Sequence, residues 1–142
     1  MICSTWNIFF KGENVMLVVK LGQLVLSKEA LNAFSKNKMT SVQRKAIYDV
    51  YEEVDKQVIS FEKIRAEKAS EYGNKNDDGT VAIDDKGMVN FTKDNFTKFS
   101  NEMNALAETD ITLPGDVIDF ASYAEIPLSL EEQKQLSWLF KF

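Results

Sequence analysis

The sequence predicts an α+β fold: a small antiparallel sheet, a long antiparallel helical hairpin and a short C-terminal helix. Three observations predict it. Ile47, Val50, Val54, Val58, Phe61, Ile64 and Ala69 recur at steps of mostly three and four, opposite a charged face. Phe96, Phe99, Met103 and Leu106 repeat that spacing further on. Short runs rich in Leu, Val and Ile, bounded by Gly and Pro, flank both stripes.

The first fifteen residues stand apart. Met1 to Phe10 has no basic region, and polar residues interrupt its short apolar stretch, so it reads neither as a signal peptide nor as a membrane span. Lys11-Gly12-Glu13 can be encoded by the purine-rich AAA-GGA-GAA of a bacterial ribosome-binding sequence, and Met16 follows at a suitable spacing. Translation is therefore expected to begin at Met16. Residues 1–15 are then an untranslated leader, the alternative being a short disordered arm. Residues 16–142 are expected to form one domain, with the helical hairpin over 41–107.

Met16 to Leu21 and Leu24 to Ser27 read as two strands of a β-hairpin turning at Gly22-Gln23. Ser27 is the expected N-cap of a short helix through about Ser35, with Ala30, Leu31 and Phe34 on one face. Thr40 to Gln43 has the form of a capping box, and a long helix should run from about Ser41 to Tyr72. At 1.5 Å per residue it would span about 50 Å, so part of it must project or pair with another helix. Gly73-Asn74 is a stop signal.

Thr80 to Ile83 and Met88 to Phe91 are expected to be short strands joined by residues 84–87. Thr92 should cap a returning helix through about Ala107, with Phe91 and Phe96 in the core around its start. Asp110 to Leu113 reads as a strand stopped by Pro114-Gly115, and Val117 to Tyr123 fits either a strand or a helical turn. Ser129 to Glu132 is a second capping box, opening a helix in which Leu130, Leu136, Leu139 and Phe140 should face the core, with Trp138 at its margin.

The chain has 142 residues, one cysteine (Cys3) and no histidine. Without histidine, Ser-His-Asp and Cys-His catalysis and Cys/His zinc sites are excluded. A lone cysteine cannot close an internal disulfide, which fits a reducing compartment. A net charge of −5 argues against nucleic-acid binding, and Lys36, Lys38, Arg44 and Lys45 read as a solvated loop and helix start. The acidic pairs Glu52/Glu53, Asp77/Asp78, Asp84/Asp85 and Glu131/Glu132 adjoin one another rather than facing across a cleft. The sequence carries no phosphate-binding or nucleophile motif.

One segment matches a metal template. Residues 74–85 place Asn74, Asn76 and Asp78 on alternate positions of a calcium loop, Gly79 at its sharp turn and Asp85 at its twelfth position. The neutral first ligand, the short twelfth side chain and the delayed second helix weigh toward a helix stop leading into a turn. No residue is assigned as catalytic, cofactor-binding or metal-ligating, and no cofactor is expected.

The layout resembles short uncharacterised proteins of phages and prophages of low-GC Gram-positive bacteria (Firmicutes). The features that carry the likeness are the Leu17 to Ser27 hairpin, the helix ending in Glu71-Tyr72-Gly73 and the turn at residues 76–79. Phe99 to Leu106 followed by Asp110 to Leu113, and Ile126 to Glu132 with Leu136 to Phe140, complete it. The resemblance implies a phage origin and assigns no functional residue. The expectation is a non-catalytic phage or prophage protein that binds a host, defence or phage protein in the bacterial cytoplasm through its helical hairpin, with no nucleic acid and no membrane involved. The alternative is a structural or assembly accessory of the phage particle, acting as a homo-oligomer. A third reading, a calcium-binding protein, rests on residues 74–85 alone.

Overall fold

A computed structural model describes residues 16–142. The expectation for residues 1–15 lies outside the described residues. Strand β1 (Met16–Lys20) runs straight into helix α1 (Leu21–Ser35), and the long helix α2 (Ser41–Tyr72) follows. After a tight β segment come α3 (Lys93–Ala107), β2 (Asp110–Pro114), β3 (Ile118–Asp119), a 3-10 turn (Phe120–Tyr123), α4 (Leu130–Gln135) and β4 (Phe140–Lys141). The fold is α+β, with the expected long helix and short C-terminal helix.

The N-terminal hairpin does not form. Gly22 and Gln23 begin α1, and β1 pairs instead with the distant β2, antiparallel, from Met16 opposite Pro114 to Lys20 opposite Asp110. Leu21, Leu24, Ser27, Ala30, Leu31 and Phe34 are all buried on one face of α1, a helical spacing that outweighs the local strand-like run. Ser27 is therefore no cap but a fully buried mid-helix residue. Gly22 serves a close approach rather than a turn: a Cβ there would meet the Ala107 Cβ at 3.0 Å and its carbonyl oxygen at 3.2 Å.

The capping boxes are as expected. Thr40 and Gln43 exchange bonds of 2.9 and 3.2 Å at the start of α2, and Ser129 and Glu132 exchange bonds of 2.9 and 3.1 Å at the start of α4. Arg44 closes the α1–α2 turn by donating to the Ser35 and Asn37 carbonyl oxygens at 2.7 and 2.9 Å. That supports the reading of its basic cluster as a helix start.

The main core lies between α1, the first half of α2, the β1–β2 ribbon and the C-terminal segment. Phe34 sits at its centre, with ring centroids 5.0 Å from Phe140 and 5.6 Å from Tyr123. Leu136, Leu139 and Phe140 are buried as expected, but Leu130 is 70% exposed. As the first residue after the Ser129 cap it occupies the outer side of a helix only six residues long. The ambiguous stretch after Gly115 adopts both forms: β3 pairs parallel with β4, and the chain then winds into the 3-10 turn.

The second half of α2 leaves this core and carries α3 antiparallel to itself. Lys68 pairs with Glu102 at 3.2 Å, Ile64 shares a surface hollow with Leu106, and Ala69 one with Phe99. This is the expected helical hairpin. Its mating face is only partly covered: Phe99 is buried, whereas Met103, Leu106, Phe61 and Ile64 are half-buried.

Candidate interaction surface at the hairpin tip

The tip is built from a repeat that the sequence reading missed. Residues 74–81 and 82–89 share Asp at their fourth position, Gly at their sixth and Val at their eighth. Each octad makes the same turn. Gly79 donates to the Asn76 carbonyl at 2.9 Å, and Gly87 to that of Asp84 at 3.0 Å. Asn76 donates to Thr80 at 2.8 Å, and Asp84 to Met88 at 2.8 Å. Both glycines have positive φ, +87° and +80°, which the turn requires and side-chain-bearing residues disfavour.

The repeat closes into a ring. Asn74 N–H donates to the Asn90 carbonyl at 2.7 Å, Asn90 N–H to Ala82 at 3.0 Å, and Ala82 N–H to Asn74 at 2.8 Å. Three positions eight residues apart thus satisfy one another's main chains. The expected two-strand hairpin is a three-segment cap, with bridges at Lys75–Val81 and Ile83–Val89. Gly73 joins it to α2 and is not in the left-handed region expected of a helix stop (φ −66°). It is needed for space: a Cβ there would meet Val89 Cγ1 at 2.5 Å and the Ala69 carbonyl oxygen at 2.7 Å.

The same bonds account for the calcium-like residues. Asp78 accepts from the Thr80 amide and hydroxyl at 3.0 and 2.6 Å, which hold its carboxyl below the usual carboxylate range. Asn76 donates its side-chain amide to Thr80 at 3.0 Å, and the Asn74 main chain belongs to the ring. Asp85 sits in the second turn rather than in a following helix. Among the described residues no three His, Cys, Asp or Glu side chains gather as a metal site would require. The acidic pairs likewise serve local structure: Asp84 accepts from Lys86 and Met88 amides, and Glu132 completes a capping box.

Beside the ring lies an open cleft of about 620 Å³, lined along one side by every residue from Gly87 to Lys93 and along the other by Arg65, Ala69, Phe96 and Phe99. Phe91 stacks on Phe99 with centroids 5.0 Å apart and meets Phe96 edge-on at 5.7 Å. Phe96 was expected in the core but is 54% exposed, and Met88 at the cleft's rim is 58% exposed. The reason is geometric. Phe96 lies in the first turn of α3, where its ring meets Phe91 edge-on, and Phe99 one turn further on takes the buried place. The cleft's charged side chains are the cations Arg65 and Lys93, and among the described residues neither joins an ion pair.

Below the tip, the Tyr72 hydroxyl donates to Glu102, which also pairs with Lys68. Both bonds favour the carboxylate and hold Glu102 below the usual carboxylate range; the same bonds raise Tyr72 and Lys68. This clasp joins the two helices just under the ring. No helix among the described residues is long and apolar enough to cross a membrane. No family model, curated protein or solved structure matches the chain.

Proposed function

We propose that this chain is a non-catalytic phage or prophage protein that acts in the bacterial cytoplasm by binding another protein through the tip of its helical hairpin. The supporting observation is the exposure of Met88 and Phe96 at the rim of an aromatic cleft whose backbone is held rigid by the three-way ring. Large apolar side chains grouped on a stiff, projecting element are costly to leave in water and well suited to a partner. The test is the affinity of a captured, purified bacterial or phage partner for the wild type and for the double variant Met88→Asp, Phe96→Asp. The variant should lose about 30-fold or more. An affinity within about twofold of wild type contradicts the reading.

A structural accessory of the phage particle, acting as a homo-oligomer, is the second reading. The exposed Met16 and Val18 on one face of the two-stranded β1–β2 ribbon favour it. Light scattering separates the two, because a strict monomer at high concentration is incompatible with the second.

A further inference from the structure

Asn90 turns both its main-chain groups inward to the ring, so the pleat directs those of Val89 and Phe91 the other way. Among the described residues, neither the N–H nor the carbonyl of Val89 or Phe91 has a hydrogen-bond partner. Two donors and two acceptors of the described residues therefore lie unpaired in the stretch that lines the cleft, a free backbone edge next to an apolar hollow. Thr92, the N-cap of α3, is itself extended at φ −70° and ψ 161°, so the helix begins only after this stretch. Arg65 and Lys93 give the cleft a positive character within a chain of net charge −5.

We infer that the tip cleft takes an extended segment of a partner protein as an added β-strand, with an apolar side chain against Phe96 and Phe99 and, two residues along on the same face, a carboxylate against Arg65 or Lys93. The inference rests on the tip-binding reading above and names what the tip binds. Main-chain bonds to Val89 and Phe91 set the segment's direction and register. Alternate side chains then face the cleft, an apolar one in the hollow and an acid at the next such position beside the cations, and this pattern selects the sequence. Arg65 can meet a carboxylate with two parallel bonds, a geometry that Lys93 does not offer.

The test is a titration of the ¹⁵N-labelled chain with three synthetic peptides. The first carries one phenylalanine with a glutamate two residues to either side of it and serine elsewhere, so that the ring and both acids share one face. The second replaces each glutamate with lysine. The third matches the first but carries N-methyl groups on alternate amides. The acidic peptide should shift the amide signals of Val89 and Phe91 and bind about tenfold more tightly than either of the others. The pair Arg65→Glu, Lys93→Glu should reverse the preference between the acidic and basic peptides. Equal binding of the N-methylated peptide overturns strand addition, as do equal affinities of the acidic and basic peptides or shifts confined to β1 or α4. Binding at the tip that tolerates N-methylation leaves the tip-binding reading standing. A natural partner insensitive to Met88→Asp, Phe96→Asp removes that reading itself.

Discussion

The indole Nε1–H of Trp138 donates to the Ser27 hydroxyl at 3.1 Å, tying the C-terminal segment to the middle of α1 across 111 residues of sequence. Ser27 in turn donates to the Leu24 carbonyl at 3.0 Å, so this fully buried hydroxyl both donates and accepts. Ser27→Ala should cost about 1–3 kcal/mol, because it leaves the indole N–H without its acceptor. In a Trp138→Phe background the same change should cost clearly less. Urea unfolding of the four proteins measures the coupling, and strict additivity contradicts the bond's role.

Gly73→Ala should destabilise by about 1–3 kcal/mol, since the added methyl has no room between Val89, Val81 and the Ala69 carbonyl. The backbone at Gly73 suits any residue, so the loss is one of packing alone. Thermal unfolding checks it, and a variant as stable as wild type would mean that the cap sits looser on α2 than described.

The Tyr72–Glu102–Lys68 clasp makes the hairpin sensitive to pH at both ends. Glu102 is lowered in the folded chain, so its contribution is present above its unfolded value and fades as the pH falls through the folded one. Lys68 and Tyr72 are raised, so their contributions are lost only as the pH climbs through their folded values, well into the alkaline range. All three are half-buried and still reached by water, so the effect is modest. Melting temperatures from neutral pH down to about pH 3 should fall less for Glu102→Gln than for wild type. Identical acid slopes contradict the assignment.

Amide hydrogen exchange should resolve the ring residue by residue. Asn74, Ala82 and Asn90 donate into it and should exchange slowly, whereas Val89 and Phe91 beside them should exchange near the rate of an open chain. Protection of Val89 and Phe91 in the isolated protein would mean that the edge is already occupied.

Much of the helical architecture was legible in the sequence. Thr40, Thr92 and Ser129 announce their helices through side-chain chemistry confined to four residues, and the stripes of α2 and α3 need only local spacing. What was not legible depends on distant partners. The run from Met16 to Ser27 is rich in Leu and Val around a Gly-Gln pair and reads as a hairpin, and only pairing with residues 110–114 shows that β1 has another neighbour. Once that edge is taken, Leu24 and Leu31 gain more by facing α2 on a helix.

The candidate site was half visible. The Asn-Asp-Asp-Gly turn stands out in the sequence as a calcium-like loop, whereas its role as half of a repeat shows only beside the octad that carries the same Asp, Gly and Val eight residues later. The period of eight in Asp77 and Asp85, Gly79 and Gly87, and Val81 and Val89 is the signal the sequence offers. The exposure of Phe96 was out of reach, because helical spacing groups it with Phe99 and says nothing of which ring α2 can cover.

The most direct test of tip binding is a site-specific photo-crosslink. A benzophenone side chain placed at Phe96 is compared with one at Leu130, which is more open to solvent but lies on α4, outside the hairpin. Irradiation of Gram-positive cells producing each protein should give a discrete adduct from position 96 and none from position 130. Adducts of the same partner from position 130 alone, or from both positions alike, would contradict binding through the hairpin tip.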